Sequence, residues 1–520
     1  MVLTRFDIAR KNLYEDLLDA GFFRDDDGTV NYEYQDFSSM LDSEENIRNM
    51  YDNLIDAGFY KDEHGEVMMT ADDFVGNLLD VRTSLDYYPL TENQRGVYVD
   101  WEMNRGTTQY NVPFVFKITS VDVGRLQQSL VDCVNAHPFL KTRLANKEND
   151  VVLLRRDNAD VNVTVQESAS VPDRTFFQGR LRPFDLFADD LYRLEVYVTA
   201  DGDRKDAWIF MDFHHIVFDG LSNELFLRDF LKAYSGEDLV QESFTAFDFA
   251  VYEQSLKDSE QYDAAAEYFR KLMSDSETMT YPDSSVLDET SGKVCSIERH
   301  ITDAASINSF CQQQGITPNA YFLAAAGEAL SRLTRNINGT FCTISNGRNL
   351  EEIQNAIGMF VKTLPVVLPE RSGDMTVSQF VKSVYEQSID SIARDFYPFT
   401  EISQLYGVRP DILIAYQGGI MNQSSDEEKY PITLDTAKFP IELMVYPSGD
   451  DEYIVHLTYD TSHYNNSDMQ TLLSCLSNAC LSMSRVRKVS EISLVDTSSQ
   501  KQLQELCRGT SLPYNAEETF

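Results

Sequence analysis

The segment that most constrains the fold of this chain is AWIFMDFHHIVFDGLSNELFLRDFL. Its first part, Trp208 to Phe213, is almost entirely apolar, which is typical of a strand buried on both faces. Its last part repeats aromatic residues every four positions from Phe226 to Tyr234, the spacing of one helix face. The pattern therefore predicts a buried strand, a polar turn and a helix that begins near Ser222.

The predicted turn between strand and helix holds two adjacent histidines, His214 and His215, followed by Asp219 and Gly220. With 7 His and 24 Gly among 520 residues, an HHxxxDG string arises by chance in about one in a thousand such chains. Because adjacent strand residues face opposite sides, we expect one histidine to face inward and the other to face a cleft. Two side chains that face opposite sides cannot bind one metal ion together, and no third His or Cys lies nearby in the sequence. Both observations disfavour a metal site here.

Strand-like and helix-like patterns alternate from about Ser84 to about residue 490. DDLYRLEVYVTA and KDAWIFMDFHH are predicted to be neighbouring strands, and DILIAYQ, IELMVYP and EYIVHLTYD are predicted to share one sheet. We therefore predict two α/β lobes of about 200 residues each, over 84–265 and 266–490. The polar stretch 491–520 is predicted to be a linker toward a following domain.

An internal repeat occupies the first part of the chain. NLYEDLLDAGFFRDDDGTV begins at Asn12 and recurs as NMYDNLIDAGFYKDEHGEV at Asn49, an offset of 49 − 12 = 37 residues. Each copy predicts a helix that ends near a glycine, Gly21 or Gly58, followed by an acidic turn and a short extended piece. We predict a small, mainly helical, duplicated segment over 1–83.

The acidic turns of the repeat also suggest an EF-hand. Taking Gly28 as the sixth loop position places Phe23 at position one and Tyr34 at position twelve. A calcium loop needs oxygen ligands at these two positions. The spacing therefore disfavours calcium binding.

The charge balance excludes several kinds of partner. The chain has 44 Lys+Arg against 84 Asp+Glu, a net charge of −40, which repels nucleic acids and anionic membranes. No apolar run reaches the roughly 20 residues that a membrane helix needs, and Asp7 and Glu15 interrupt any secretory signal. We expect a cytoplasmic protein whose 7 scattered cysteines are reduced and mostly buried.

The string from His214 to Gly220 matches in full the HHxxxDG signature of the condensation domains of non-ribosomal peptide synthetases, which are relatives of chloramphenicol acetyltransferase. Other segments resemble further motifs of that family, in the same order: Leu90–Gln94 with Tyr98, His137–Thr142, Phe247–Tyr252, Ile357–Leu364 and Tyr397–Phe399. The resemblance covers about residues 85–490. It departs at Gly96, where the family usually has Arg, and at Lys362, where it usually has Asn.

The resemblance implies an α/β fold of two chloramphenicol-acetyltransferase-like lobes that form a V-shaped pseudo-dimer after the helical N-terminal segment. It also implies amide-bond formation between a donor acyl thioester and the amine of an aminoacyl group. Both are carried on 4′-phosphopantetheine arms of acyl or peptidyl carrier proteins, or the donor is an acyl-CoA. The domain itself is then expected to bind no cofactor and no metal, to act as a monomer and to precede an adenylation domain.

The roles of the signature residues also follow from the resemblance. Imidazole suits proton removal from an amine, or hydrogen bonding to it, and we assign this role to His215. The backbone of Gly220 is expected to approach the reacting carbonyl and to help stabilise the oxyanion. His214 is expected to pack and orient, and Asp219 to brace the loop through an arginine, with Arg348 as the candidate partner.

Several functional alternatives remain open. Because no carrier or adenylation domain precedes this segment, the donor is expected from another protein. The domain is then a starter that N-acylates the first amino acid, or an elongating domain that receives a peptide through the N-terminal segment as a docking element. An epimerisation domain, which shares the signature, and an inactive carrier-binding scaffold are the other hypotheses. The resemblance implies a tunnel in which the two carrier-bound substrates meet. Basic patches for carrier docking are expected near the mouths of this tunnel, at positions such as Arg95 and Lys362.

Overall fold

We describe the fold from a computed structural model of the chain. It describes residues 5–25, 29–30, 32–41, 44–61, 65, 67–78, 87–147, 150–201, 204–288, 294–409, 411–418, 432, 434, 437–449 and 451–508. Most of the DDDG and DEHG turns and the tail 509–520 lie outside the described residues.

The N-terminal repeat folds into two similar helical pairs: α1 (Arg5–Asp19), α2 (Tyr34–Met40), α3 (Glu44–Asp56) and α4 (Ala71–Leu78). The first helix of each pair ends before Gly21 or Gly58, whose φ values of 89° and 94° are accessible mainly to glycine. The two pairs share one apolar core, in which Leu17, Phe37 and Ile47 are buried. The extended piece expected from the sequence is a single bridge in each copy, and a second helix follows it.

The next part of the chain builds one antiparallel sheet of three strands and one mixed sheet of four strands, with helices around them. Its elements are β1 (Tyr87–Pro89), α5 (Glu92–Met103), β2 (Asn111–Ile118), α6 (Val123–Ala136), β3 (Arg143–Lys147), β4 (Asp150–Leu154), β5 (Val163–Glu167), α7 (Arg174–Gln178), β6 (Tyr192–Asp201), β7 (Arg204–His214), α8 (Gly220–Ser235) and α9 (Ala246–Leu256). The sheets have the orders β1-β4-β3 and β2-β7-β6-β5. The predicted pairing of β6 with β7 is confirmed, and β7 lies inside its sheet, which explains its apolar sequence.

The last part of the chain builds one larger sheet. Its elements are α10 (Glu260–Met273), β8 (Glu277–Thr278), β9 (Val294–Ile301), α11 (Ala304–Gln314), α12 (Pro318–Thr334), β10 (Gly339–Ser345), β11 (Lys362–Val367), α13 (Val377–Ile392), α14 (Phe399–Tyr406), β12 (Ile412–Tyr416), β13 (Ile441–Ser448), β14 (Glu452–Asp460), α15 (Asn466–Met483) and α16 (Thr497–Arg508). The sheet order is β11-β10-β12-β13-β14-β9, with β8 beside β10. The prediction that the three segments β12, β13 and β14 share one sheet is confirmed. No described helix is long and apolar enough to cross a membrane.

The two α/β parts have separate apolar cores that are joined at a few places. Residues of the second part, among them Ile357 and Phe360, are buried in the core of the first. Helix α14 packs next to α5, where Thr400 Cγ2 lies 3.6 Å from the position that a side chain at Gly96 would take. Gly96, the position at which the sequence departs from the family motif, therefore lies where two helices from different parts of the chain meet.

Candidate active site

The signature turn leaves the end of β7 and is held by backbone hydrogen bonds to neighbouring segments. The amide of His214 donates to the carbonyl oxygen of Leu191 at 2.9 Å, and that of His215 donates to the carbonyl oxygen of Tyr110 at 2.7 Å. The side chain of Gln94, on α5, donates to the carbonyl oxygen of Ile216 at 2.9 Å. These contacts set the direction in which each imidazole leaves the backbone.

His214 is buried and makes an internal contact. Its Nδ1 accepts a hydrogen bond from the amide of Ile216 at 3.2 Å, so this nitrogen carries no proton and the ring is neutral. Burial lowers the pKa of His214 well below its ordinary value, and the positive charges of neighbours such as Lys438 and Arg193 lower it further. The ring is therefore held within the turn by its own backbone.

His215 is only partly buried, whereas His214 is 2% exposed. The two residues thus differ in exposure, and His215 lies in the turn just beyond the last residue of β7. The His215 ring lies edge-on to the Tyr110 ring, with the centroids 6.5 Å apart. Burial lowers the pKa of His215 and the charge of Lys438 lowers it further, against an opposing effect of Asp219. The imidazole is therefore neutral at neutral pH and able to accept a proton.

Asp219 is buried at the start of α8 and is saturated with donors. Its Oδ1 accepts from the amide of Ser222 at 2.9 Å, which makes Asp219 the N-cap of the helix. The helix accordingly begins at Gly220, two residues before the predicted start. Oδ2 of Asp219 accepts a hydrogen bond from the amide of Phe360 at 3.0 Å. Gly220 itself is exposed, and a side-chain carbon there would meet nothing within 4 Å.

Arg348 lies on the same carboxylate. Its Nη1 donates to Oδ2 of Asp219 at 2.9 Å and its Nη2 donates to Oδ1 at 3.0 Å. Burial raises the pKa of Asp219, but the charge and hydrogen bonds of Arg348 outweigh burial and leave that pKa below its ordinary value. The guanidinium also stacks on the Phe360 ring at 4.5 Å from its centroid. The sequence candidate for the partner of Asp219 is thus in direct contact with it.

The loop that carries Arg348 depends on a glycine. Gly347 has a φ of 67°, and a side-chain carbon there would lie 1.8 Å from the carbonyl oxygen of Phe360. A side chain of any size would therefore push apart the two backbone segments that enclose Asp219.

The two basic residues expected at carrier-docking patches are both engaged in ion pairs, and one of them is buried. Lys362 is buried and forms an ion pair with Glu253 on α9, so it lies inside the junction between the two parts of the chain. Arg95 is exposed, but it is paired with Asp150 at 3.1 Å. Sequence alone could not reveal these partners, because both lie far away along the chain.

Sequence reasoning missed Tyr110, whose ring contacts both histidines, as well as Lys438 next to that ring and Glu442, whose charge acts on Lys438. The Tyr110 hydroxyl donates to Asp100 Oδ2 at 2.8 Å, and Lys438 Nζ lies 6.0 Å from the centroid of the Tyr110 ring. None of them belongs to a recognisable motif, and Lys438 is more than 200 residues from His215. No sequence signal was available for their approach.

The cysteines are poor candidates for a covalent nucleophile. Five of them are buried, Cys295 is partly buried and Cys507 is exposed, as predicted. Burial raises the pKa of both Cys311 and Cys480 to about 12, so their thiolates are scarce at neutral pH. Within the described ranges, no group of three or more His, Cys, Asp or Glu is arranged to hold a metal ion.

Comparisons with known proteins agree with this geometry. The family model for the condensation domain matches residues 84–504. The chain is 24% identical over 411 residues to tyrocidine synthase 3 of Brevibacillus parabrevis, a match that covers 74% of this chain and 6% of that protein. The chain thus spans a small fraction of the length of this relative.

Two solved structures illustrate the likeness of fold. The X-domain in its complex with OxyB from teicoplanin biosynthesis is similar with a TM-score of 0.68 and 17% identity, over 80% of this chain and 97% of that one. The epimerization domain from the third module of tyrocidine synthetase B is similar with a TM-score of 0.64 and 17% identity, over 77% of this chain and 99% of that one. The α/β fold expected from the resemblance is therefore confirmed.

Proposed function

Because the chain belongs to the condensation domain family, we propose that it catalyses amide-bond formation between a donor acyl thioester and the amine of an aminoacyl group on a carrier protein. The observation that carries this proposal is the neutral imidazole of His215, a partly buried residue at the exit of the buried strand β7. Attack on a thioester requires an amine that loses a proton as it forms the new bond. A neutral imidazole accepts such a proton.

The proposed reaction balances without a cofactor bound to this chain. The amine nitrogen attacks the thioester carbonyl carbon, and the carbonyl oxygen becomes an oxyanion. His215 accepts the proton that the nitrogen loses, the C–S bond breaks, and the proton returns to the departing phosphopantetheine or coenzyme A thiolate. The exposed backbone of Gly220 at the first turn of α8 is the proposed oxyanion contact, because helix N-termini stabilise negative charge.

The remaining signature residues are proposed to hold this geometry. His214 orients the turn through the amide of Ile216. Asp219 and Arg348 attach the turn and α8 to the second part of the chain. None of the three is proposed to touch substrate.

We propose a starter N-acylation as the first candidate for the specific step, because the segment Leu90–Tyr98 resembles starter and related subtypes. Chain elongation is the second candidate. The N-terminal helical pairs favour it, since they form a core of their own and α1 lies next to α9, as a docking element would require. Epimerisation is the third, since that activity shares the signature.

The remaining parts of the proposal concern context. The partners are acyl or peptidyl carrier proteins and an adenylation domain, and the protein acts as a monomer in the cytoplasm. The proposed division is 1–83, 84–265, 266–490 and 491–520. The second of these boundaries falls within α10, whose Ala265 and Phe269 pack with Leu364 and Tyr397 of the second lobe.

The test offers the purified chain an aminoacyl carrier as acceptor together with acyl-CoA, acyl-carrier or peptidyl-carrier donors, and detects products by mass spectrometry. Amide product from acyl donors alone supports the starter step, and product from peptidyl donors alone supports elongation. Deuterium uptake from solvent at the α-carbon of the acceptor, without any amide product, would replace the proposal by epimerisation. Carrier binding without turnover would replace it by a scaffold.

A further inference from the structure

Tyr110 lies directly opposite His215, at the point where β2 begins and β7 ends. Asn111, the first residue of β2, pairs with His214, the last residue of β7, in an antiparallel register. The next pair in this register is Tyr110 with His215, and the amide of His215 donates to the carbonyl oxygen of Tyr110 at 2.7 Å. Residues that face each other across such a ladder have side chains close enough to interact. The backbone therefore brings the Tyr110 ring to the His215 ring.

The plane of the His215 imidazole is not set by a hydrogen bond at Nδ1. This nitrogen is buried and has no hydrogen-bond partner within the described part of the chain. Backbone groups of His215 and Phe218 act on the pKa of the ring, against the larger lowering effect of burial, but neither makes a hydrogen bond of normal geometry with Nδ1. The torsion that turns an imidazole about its bond to Cβ is soft. The orientation of the His215 ring therefore depends on what packs against it.

The Tyr110 ring packs against both histidines. Its centroid is 6.5 Å from that of His215 with the planes at 76°, and 6.0 Å from that of His214 with the planes at 45°. Aromatic rings at such distances prefer edge-to-face over other mutual orientations. Rotation of the His215 ring out of its present plane would lose this contact.

The Tyr110 ring is itself held at its far end. Its hydroxyl donates to Oδ2 of Asp100 on α5 at 2.8 Å. Burial raises the pKa of Tyr110, and the charge of Asp100 raises it further, so the hydroxyl keeps the proton that it donates. Helix α5 also contacts the histidine turn directly, through the hydrogen bond from Gln94 to Ile216. The ring that faces His215 is thus attached to a helix that meets the same turn.

We propose that Tyr110 is a positioning residue of this site, whose ring, fixed by Asp100, holds the imidazole of His215 in the plane in which it accepts the proton of the amine. This inference rests on the proposed function, since the plane of the ring matters for the reaction only if His215 handles that proton. The backbone bonds alone would place the Cα of His215 but leave its ring free to turn. Orientation matters because a misplacement of about 1 Å can lower a rate about 100-fold.

The first test does not depend on activity. In protein labelled with ¹³C-histidine, NMR relaxation measures the mobility of each imidazole, and the His215 signal is assigned by its loss in His215→Gln. The wild-type ring is expected to be rigid, with an order parameter of about 0.85. In Tyr110→Leu, or in Tyr110→Met if the first variant folds poorly, it is expected to fall below about 0.6. Tyr110→Phe keeps the ring and is expected to stay closer to the wild type.

Tyr234 provides a matched control. It is also a partly buried tyrosine whose hydroxyl is engaged, since it accepts from the amide of Asp122 at 3.1 Å. It lies on α8, whose first residue is Gly220, and is about 21 Å along the helix from that residue. Tyr234→Leu is expected to leave the mobility of the His215 ring unchanged. An equal loss of order in this variant, or a rigid His215 ring in Tyr110→Leu, would overturn the proposal.

The second test uses the kinetics of amide formation. Tyr110→Leu is expected to lower kcat by about 10–100-fold and to change KM by less than about twofold, because the ring positions the proton acceptor rather than the substrate. Tyr110→Phe is expected to recover most of the rate. Asp100→Ala is expected to lower kcat about as much as Tyr110→Phe, and the double variant no further, since both remove the same hydrogen bond.

An unchanged kcat in Tyr110→Leu, or a loss confined to KM, counts against the proposal. If wild-type protein makes no amide from any donor, the proposed function fails, and the relaxation measurement still decides whether Tyr110 fixes the ring of His215.

Discussion

Arg348 and Asp219 form a two-point ion pair between the two α/β parts of the chain, with both side chains 2% exposed. The pair joins the loop after β10 to the first residue before α8. Because Asp219 also caps α8 and accepts from the amide of Phe360, one carboxylate fixes the histidine turn, the helix and the crossing segment. The position of His215 relative to the second part of the chain therefore depends on this pair.

Removal of either partner is expected to destabilise the protein strongly. Asp219→Ala or Arg348→Ala leaves a buried charge without its partner, which typically costs about 3–5 kcal/mol. The double variant is expected to lose less than the sum of the two, because neither charge is then left alone. Urea unfolding of the three variants measures this.

The exposed pair Arg95–Asp150 provides the control for this prediction. Asp150→Ala is expected to change the free energy of unfolding by less than about 1 kcal/mol, since both side chains reach solvent. An inactive Asp219→Ala protein with wild-type stability would show that the carboxylate does more than brace the loop.

Gly347→Ala is expected to be more harmful than Gly407→Ala, although both glycines have nearly the same backbone conformation. Their φ values are 67° and 66°, but only Gly347 faces another backbone, while a side-chain carbon at Gly407 meets nothing within 4 Å. We expect about 1 kcal/mol for Gly407→Ala and about 2–4 kcal/mol for Gly347→Ala. Equal losses in urea unfolding would contradict the close approach to Phe360.

His215→Ala is expected to reduce amide formation by about 10²–10⁴-fold, the usual effect of losing an acid–base group, with little change in melting temperature. His463→Ala, on a side chain that is 48% exposed, serves as the control and is expected to keep wild-type activity. His214→Ala is expected to lower stability instead, by about 1–3 kcal/mol, because the amide of Ile216 loses its buried acceptor. An unchanged rate in His215→Ala refutes the proposed role.

The contacts of His137 with two carboxylates predict a contribution to the stability of the fold that depends on pH. It lies between Asp229 Oδ2 at 3.3 Å and Glu242 Oε1 at 2.5 Å. Burial lowers the pKa of His137, but contacts with these carboxylates and with Cys133 raise it well above its ordinary value. A histidine whose pKa is raised on folding contributes its full stabilisation at pH values below its pKa in the unfolded chain, which is about 6.5. This stabilisation is lost as the pH rises through the pKa of the histidine in the folded protein.

The measurement compares wild-type protein with His137→Gln in urea at pH 6 and at pH 9. The difference between their free energies of unfolding is expected to be larger at pH 6. A difference that stays constant, or grows with pH, contradicts a charged His137 in the folded protein.

Local patterns along the chain determined much of this protein. The apolar run from Trp208 to Phe213 predicted β7, the aromatic spacing from Phe226 predicted α8, and the HHxxxDG string indicated the family. Such features are readable because a strand or helix imposes its own period on the residues that it buries.

Only the tertiary structure decided which charges meet. Lys362 looked like a surface cation but is buried against Glu253, whereas Lys438 drew no notice and lies near the histidines. Periodicity reports which face of an element is buried, but it carries no information on the partner that covers that face. The partner depends on which distant segments approach each other, and the two buried ion pairs described above join segments 109 or more residues apart. Burial strengthens the interaction between the paired charges, so the pairing matters for stability.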